Sequence, residues 1–140
     1  MFTSTARKLI VLTALGMTAI AGTTPALAAT SSGTQNPDLS LTLSVSPDTV
    51  TTGQTATAAY TVTNNTTVTQ AITVTKTLVV PGQSAPTVKT ATLRLRAGQS
   101  DTVTQSVKID ASYPRGQYSV TVAVADGHGS SSATVTYTIV

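Results

Sequence analysis

The chain has 140 residues, with 8 Lys and Arg, 5 Asp, no Glu, no Cys, no Trp, one His and a formal net charge of +3. That inventory excludes a disulfide framework, a thiolate metal site and a cysteine nucleophile, and it leaves little for acid–base chemistry. The length is that of one domain, and 31 Thr residues favour strands over helices.

The chain opens with Arg7 and Lys8, continues as an uncharged, mostly apolar run from Leu9 to Ala21, and reaches small side chains ending Ala26-Leu27-Ala28. Positive start, apolar centre and small-residue end are the order of a secretory signal peptide, with cleavage expected after Ala28. The apolar run is shorter than the roughly 20 residues a membrane-spanning helix needs. Residues 1–28 are therefore expected to be an export signal. The product is expected to be secreted, extracellular or loosely held at the cell surface, with no stable membrane insertion after cleavage. The Ala-rich signal looks bacterial. Loss of Arg7 and Lys8 would leave six basic residues against five Asp, a net charge of +1. Lys76, Lys89, Arg94, Arg96, Lys108 and Arg115 are scattered along the chain. Nucleic-acid binding needs a dense basic face, so no nucleic-acid partner is expected.

Residues 29–38 are small and polar and are expected to form a flexible leader. From Leu39 the hydrophobic pattern has a period of two. Leu39, Leu41, Leu43 and Val45 alternate with Ser and Thr until Pro47-Asp48; Ala56, Ala58, Tyr60 and Val62 run to Asn64-Asn65. Val68, Ile72, Val74, Leu78 and Val80 share a phase up to Pro81-Gly82, and Ala91, Leu93 and Leu95 run to Ala97-Gly98. Val103, Val107 and Ile109 follow, then Tyr118, Val120, Val122 and Val124 up to Asp126-Gly127, and finally Ala133, Val135, Tyr137 and Ile139. Short strands with turn signals every 8–15 residues predict an all-β, seven-stranded antiparallel sandwich over residues 39–140. Each strand has one apolar face and one Thr/Ser face. The predicted core is Leu41, Leu43, Tyr60, Val62, Ile72, Val74, Val103, Val107, Val120, Val122, Val135 and Tyr137. The first and last strands, 39–45 and 133–139, are expected at sheet edges. Their low charge there would invite weak self-association or capture of an extended partner segment.

Two segments carry a family resemblance: Tyr60-Thr61-Val62-Thr63-Asn64 in the second strand, and Pro114-Arg115-Gly116-Gln117-Tyr118 leading into the sixth. On these the chain resembles bacterial immunoglobulin-like domains, in particular the cell-adhesion-related domains repeated in bacterial surface proteins and appended to secreted hydrolases. The resemblance spans 39–140. It implies an immunoglobulin-like sandwich and a binding module in cell adhesion, and its motifs speak of architecture more than activity.

Strands that alternate in direction gather Asn64, Asn65, Asp101, Asp126 and His128 at one end. Asp101, Asp126 and His128 are the candidate metal ligands there. Calcium takes six to eight oxygens, no Asp-x-Asp spacing supports it, and Asn and Asp commonly serve turns; no metal and no cofactor are expected. His128 stands between Gly127 and Gly129 at a hairpin tip, which does not hold a base to catalytic tolerance. Carboxylate pairs would come mostly from opposite ends, unlike a glycosidase site. No catalytic residue is expected, and the protein is read as not an enzyme. Of the tyrosines only Tyr113 falls outside the core phase, which weakens sugar binding by aromatic stacking. Lys76 breaks the apolar phase of its strand. An isopeptide bond to Asn64 or Asn65 is one reading; a bulge or a side chain reaching to the sheet edge is the cheaper one. Asn64-Asn65-Thr66 and Asn65-Thr66-Thr67 are formal glycosylation sequons. The resulting expectation is a secreted, non-catalytic module acting through protein or cell-envelope contacts. The alternative is a small protease or hydrolase inhibitor presenting Pro81-Gly82-Gln83-Ser84-Ala85-Pro86.

Overall fold

The computed structural model describes residues 29–33 and 36–140; the expected signal peptide, residues 1–28, lies outside the described residues. The strands are β1 (Ala29–Gly33), β2 (Leu39–Ser46), β3 (Thr49–Val50), β4 (Thr55–Asn64), β5 (Gln70–Val79), β6 (Thr87–Leu95), β7 (Ser100–Lys108), β8 (Gly116–Ala125) and β9 (Ser130–Ile139). They form a four-stranded sheet in the order β1-β2-β4-β7 and a five-stranded sheet in the order β3-β9-β8-β5-β6. The fold is all-β. Among the described residues no helix is long and apolar enough to cross a membrane.

All seven strands expected from the alternation are present, as β2 and β4 to β9. Two more join them. β1 pairs antiparallel with β2, from Ala29↔Val45 to Gly33↔Leu41, so part of the stretch expected to be a leader is a strand. Its sequence, Ala-Thr-Ser-Ser-Gly, lacks the apolar alternation that would have announced it. β3 pairs with β9 in parallel, Thr49↔Thr138 and Val50↔Ile139, so the architecture is not wholly antiparallel. Pro47 has no N–H to extend the β2 ladder, and the chain changes sheets just after it. There the Thr138 and Val140 amides donate to the carbonyls of Asp48 and Val50.

These additions overturn one expected edge, 39–45, and cover the other only at its end. β2 lies between β1 and β4 and is not an edge; β9 has β3 beside it only at Thr138 and Ile139, so among the described residues 130–137 of β9 have β8 as their one strand neighbour. The edges are β1 and β7 in one sheet and β3 and β6 in the other. β6 and β7 carry Lys89, Arg94, Asp101 and Lys108, the charges that discourage pairing with another chain.

Alternation becomes burial. β2 shows buried residues at every second position, and nine of the twelve predicted core residues are buried; Val103, Val107 and Val120 are half-buried against them. Tyr113, expected to lie outside the core, is only 8 % exposed. It sits in the turn that precedes β8, a position period-two reasoning does not reach. Tyr118 and Tyr137 face each other in register and stack with ring centroids 5.0 Å apart, while the Tyr118 hydroxyl donates to the Pro114 carbonyl at 2.8 Å. Gly116, at φ +125, adopts a conformation side chains resist, and a Cβ there would stand 3.2 Å from Pro81. On the outer faces hydroxyls pair across strands: Thr57 with Ser106, Thr61 with Thr102, Thr63 with Ser100 and Thr121 with Thr134, at 2.7–2.9 Å.

Candidate functional site

The β4–β5, β6–β7 and β8–β9 connections meet at one end, joined by residues 36–38. Asn64 closes the centre. It is fully buried; its amide donates to the carbonyls of Val68, Leu95 and Arg96 at 2.8–3.1 Å, and its Oδ1 accepts from the Thr66 amide and hydroxyl. Asn65 donates to the Pro37 carbonyl and the Ser40 hydroxyl. Asn36, 5 % exposed, takes its place through three contacts: its amide N–H donates to Ser131 Oγ, its side chain donates to Asp126 Oδ1, and its Oδ1 accepts from the Asp38 amide. Residues 36–38 are thus pinned to both sheets.

The turn between β8 and β9 is folded around Asp126. Its Oδ1 accepts from Asn36 Nδ2 at 2.9 Å and from the backbone amides of His128 at 2.8 Å and Gly129 at 3.0 Å. Its side chain is 0 % exposed, and its Oδ2 has no hydrogen-bond partner among the described residues. Burial pushes the Asp126 carboxyl up; the hydrogen bonds from His128, Asn36 and Gly129 outweigh it and, with the charge of His128, hold the group below the usual carboxylate range. His128 Nδ1 lies 3.4 Å from Asp38 Oδ2 and 3.8 Å from Asp126 Oδ2. One donor atom from each of Asp38, Asp126 and His128 lies within 4.8 Å of the others.

Of the residues named from sequence, Asn64, Asn65, Asp126 and His128 share this end. Asp101 does not enter the cluster: it sits on β7 opposite Val62, where its charge helps raise the pKa of Tyr60, after burial. Asp38 takes the place expected for Asp101. Asp38 and Asn36 were missed because they lie in the polar stretch read as a leader. The signal was Asn36-Pro37-Asp38, an Asx-type turn sequence directly before an apolar strand.

The other sequence candidates fall elsewhere. The His128 side chain is 72 % exposed, with Nδ1 facing the carboxylates of Asp38 and Asp126. The Asn64 amide is spent on three carbonyls and is closed to a bond with Lys76 and to a glycan. Lys76 is half-buried, with Nζ 5.2 Å from the Tyr60 ring centroid and Lys89 directly opposite. Burial, then Lys89, lowers its pKa. Beside it an apolar cleft of ≈ 70 Å³ opens between the sheets, lined by Val45, Ala56, Ala58, Leu78, Val107, Val120 and Tyr137 among others. The Pro81–Pro86 loop starts as a tight turn, closed by the Gln83 amide on the Val80 carbonyl with Gly82 at φ +77, rather than as an extended segment.

No known protein family and no curated protein matches the sequence. Solved structures match it in fold. The CARDB domain of the PF1109 protein from Pyrococcus furiosus, a complex with di-metal ions, superposes with a TM-score of 0.55 at 16 % identity, covering 73 % of this chain and 92 % of that one. The β-glucosidase EmGH1 from Erythrobacter marinus gives 0.55 at 11 % identity over 73 % of this chain and 15 % of that one. The alkylpurine DNA glycosylase AlkC from Pseudomonas fluorescens, bound to DNA with an abasic-site analog, gives 0.51 at 18 % over 68 % and 28 %. The chain therefore spans a small part of each enzyme and nearly the whole CARDB domain. The likeness shows a shared β-sandwich fold.

Proposed function

We propose that the chain is a secreted, immunoglobulin-like, non-catalytic binding module that acts through contacts with proteins or the cell envelope. The observation that carries this reading is the surface. The outer faces of the sheets present Thr and Ser hydroxyls that pair with one another, as Thr61 does with Thr102 and Thr121 with Thr134. Such a face offers hydrogen-bonding area and no poised acid, base or nucleophile. The sheet orders and the Tyr118 hydroxyl bonded back to Pro114 at the start of β8 support the immunoglobulin-like assignment, because that corner is characteristic of such sandwiches. The fold likeness to a CARDB domain supports an adhesion-related role. Retention of the purified chain on envelope fractions of the producing cell, with no turnover of peptide, ester or glycoside substrates, is the expected result. Turnover that survives purification to homogeneity, or absence of any retention, would overturn it.

A further inference from the structure

We propose that Asp38, Asp126 and His128 bind a zinc-type transition-metal dication that fastens the 36–38 segment to the β8–β9 turn. Two observations carry it. The first is the donor set: two carboxylates and one imidazole nitrogen, each able to offer an atom within 4.8 Å of the other two. His128 Nδ1 stands 3.4 Å from Asp38 Oδ2 and 3.8 Å from Asp126 Oδ2. Ligands at zinc distances of about 2.0–2.1 Å in a tetrahedron lie about 3.3 Å apart, so the two separations from His128 Nδ1 are already close to that spacing. The second is independent of spacing. Asp126 Oδ2 belongs to a side chain with 0 % exposure, has no hydrogen-bond partner among the described residues, and is directed toward His128. A buried carboxylate oxygen without a donor is costly, and a cation at that point satisfies it.

The surroundings suit such a role. Asp126 Oδ1 is held by three donors, one of them Asn36 Nδ2, which fixes the carboxylate and leaves Oδ2 free to face the cation. Outer contacts of this kind orient metal ligands and raise affinity. Imidazole favours zinc, copper or nickel, whereas calcium wants six to eight oxygens and magnesium a shell rich in water. Three protein ligands leave a fourth position for water. Asp38 lies just before β2 in one sheet and the other two donors between β8 and β9 in the second, so the ion spans the sandwich.

The test uses the full chain without a polyhistidine tag. Calorimetric titration with Zn²⁺ is expected to show one ion per chain, and His128→Ala and Asp38→Asn are each expected to weaken binding at least tenfold. The sequence holds a single His, so the imidazole signals in a nitrogen-correlated spectrum report on this residue alone and are expected to shift at one equivalent. The exposed His128 side chain makes its truncation harmless to the fold, and a metal-free melt equal to wild type checks that. Absence of zinc binding, affinity unchanged in His128→Ala, or calcium binding as tightly as zinc would each overturn the assignment.

Discussion

At the end where β4 gives way to β5, amides and carboxylates close the sandwich; at the other end, between β5 and β7, aliphatic side chains stop short of filling it. The polar end is specified by side chains bonded to backbone, Asn64 to three carbonyls and Asp126 Oδ1 to two amides. The open end has a ≈ 70 Å³ cleft with Lys76 at its lining. The contrast teaches where this protein tolerates change. A hydrogen bond lost in a buried polar network leaves its partner orphaned at full desolvation cost, whereas a loosely filled apolar cleft has room to adjust.

The largest effect comes from the layer both ends share. Val122 is 1 % exposed and lies between β5 and β9. Val122→Asp places an unpaired charge there at a cost of several kcal/mol, against a total stability of about 5–15 kcal/mol. The variant is expected to show no cooperative melting transition by circular dichroism. A wild-type melt would mean the strand phase is wrong and that neither end rests on this core.

Next is the polar end itself. Asn64→Leu keeps the volume but strips donors from the Val68, Leu95 and Arg96 carbonyls and the acceptor from Thr66. A loss of about 3 kcal/mol in denaturant unfolding is expected, since each orphaned buried group costs about 1–3 kcal/mol and water reaches some of them. A loss under about 1 kcal/mol would erase the distinction between the two ends.

The open end predicts the opposite sign. Burial and the facing Lys89 lower the Lys76 pKa below its ordinary 10.5, so the folded protein disfavours the charged form. Between the folded and unfolded values the unfolded chain binds more protons, and stability rises with pH across that window. Lys76→Met is therefore expected to stabilise by about 0.5–1 kcal/mol at neutral pH, a small gain because the ammonium is partly solvated and forfeits its contact with Tyr60. The advantage over wild type is expected to shrink as pH climbs toward the ordinary lysine value. Tyr118, pushed up to about 12 mainly by burial, is common to both proteins and loses its stabilising contribution as pH rises above 10 in each. A gap between the variants that stays constant with pH would detach the effect from Lys76 ionisation.

The period-two apolar pattern was enough to place β2 and β4 to β9 and most of the core, because in a half-buried strand the pattern and the burial are one fact. It could not place β1, whose pairing is main-chain hydrogen bonding with no apolar signature, nor β3, two residues long and defined by a chain crossing. Edge status depends on such neighbours, so the expected edge at 39–45 failed with β1, while 133–139 gained a neighbour only at Thr138 and Ile139. At the candidate site Asp126 and His128 were legible from turn chemistry; Asp38 lies in a turn sequence too, but nothing in it says which other turn it meets. Its role arises from β1–β2 geometry that brings residues 36–38 across to the β8–β9 turn, more than 80 positions later in the chain.

The smallest effect tests whether the hydroxyl pairs on the outer faces belong to stability at all. Thr61 and Thr102 face each other across β4 and β7 with oxygens 2.8 Å apart, exposed to water. Water replaces such a bond readily, and cross-strand pairs contribute about 0.2–1 kcal/mol. Valine keeps the β-branched shape and the strand preference of threonine. A double-mutant cycle with Thr61→Val and Thr102→Val is expected to give a coupling below about 0.5 kcal/mol, at the solvated end of that range. The hydroxyl face would then be retained for what it presents outward, and envelope retention should fall in the double variant while the melt hardly moves. Coupling above about 1 kcal/mol with unchanged retention would make the ladder structural and shift the search for a binding surface to the cleft.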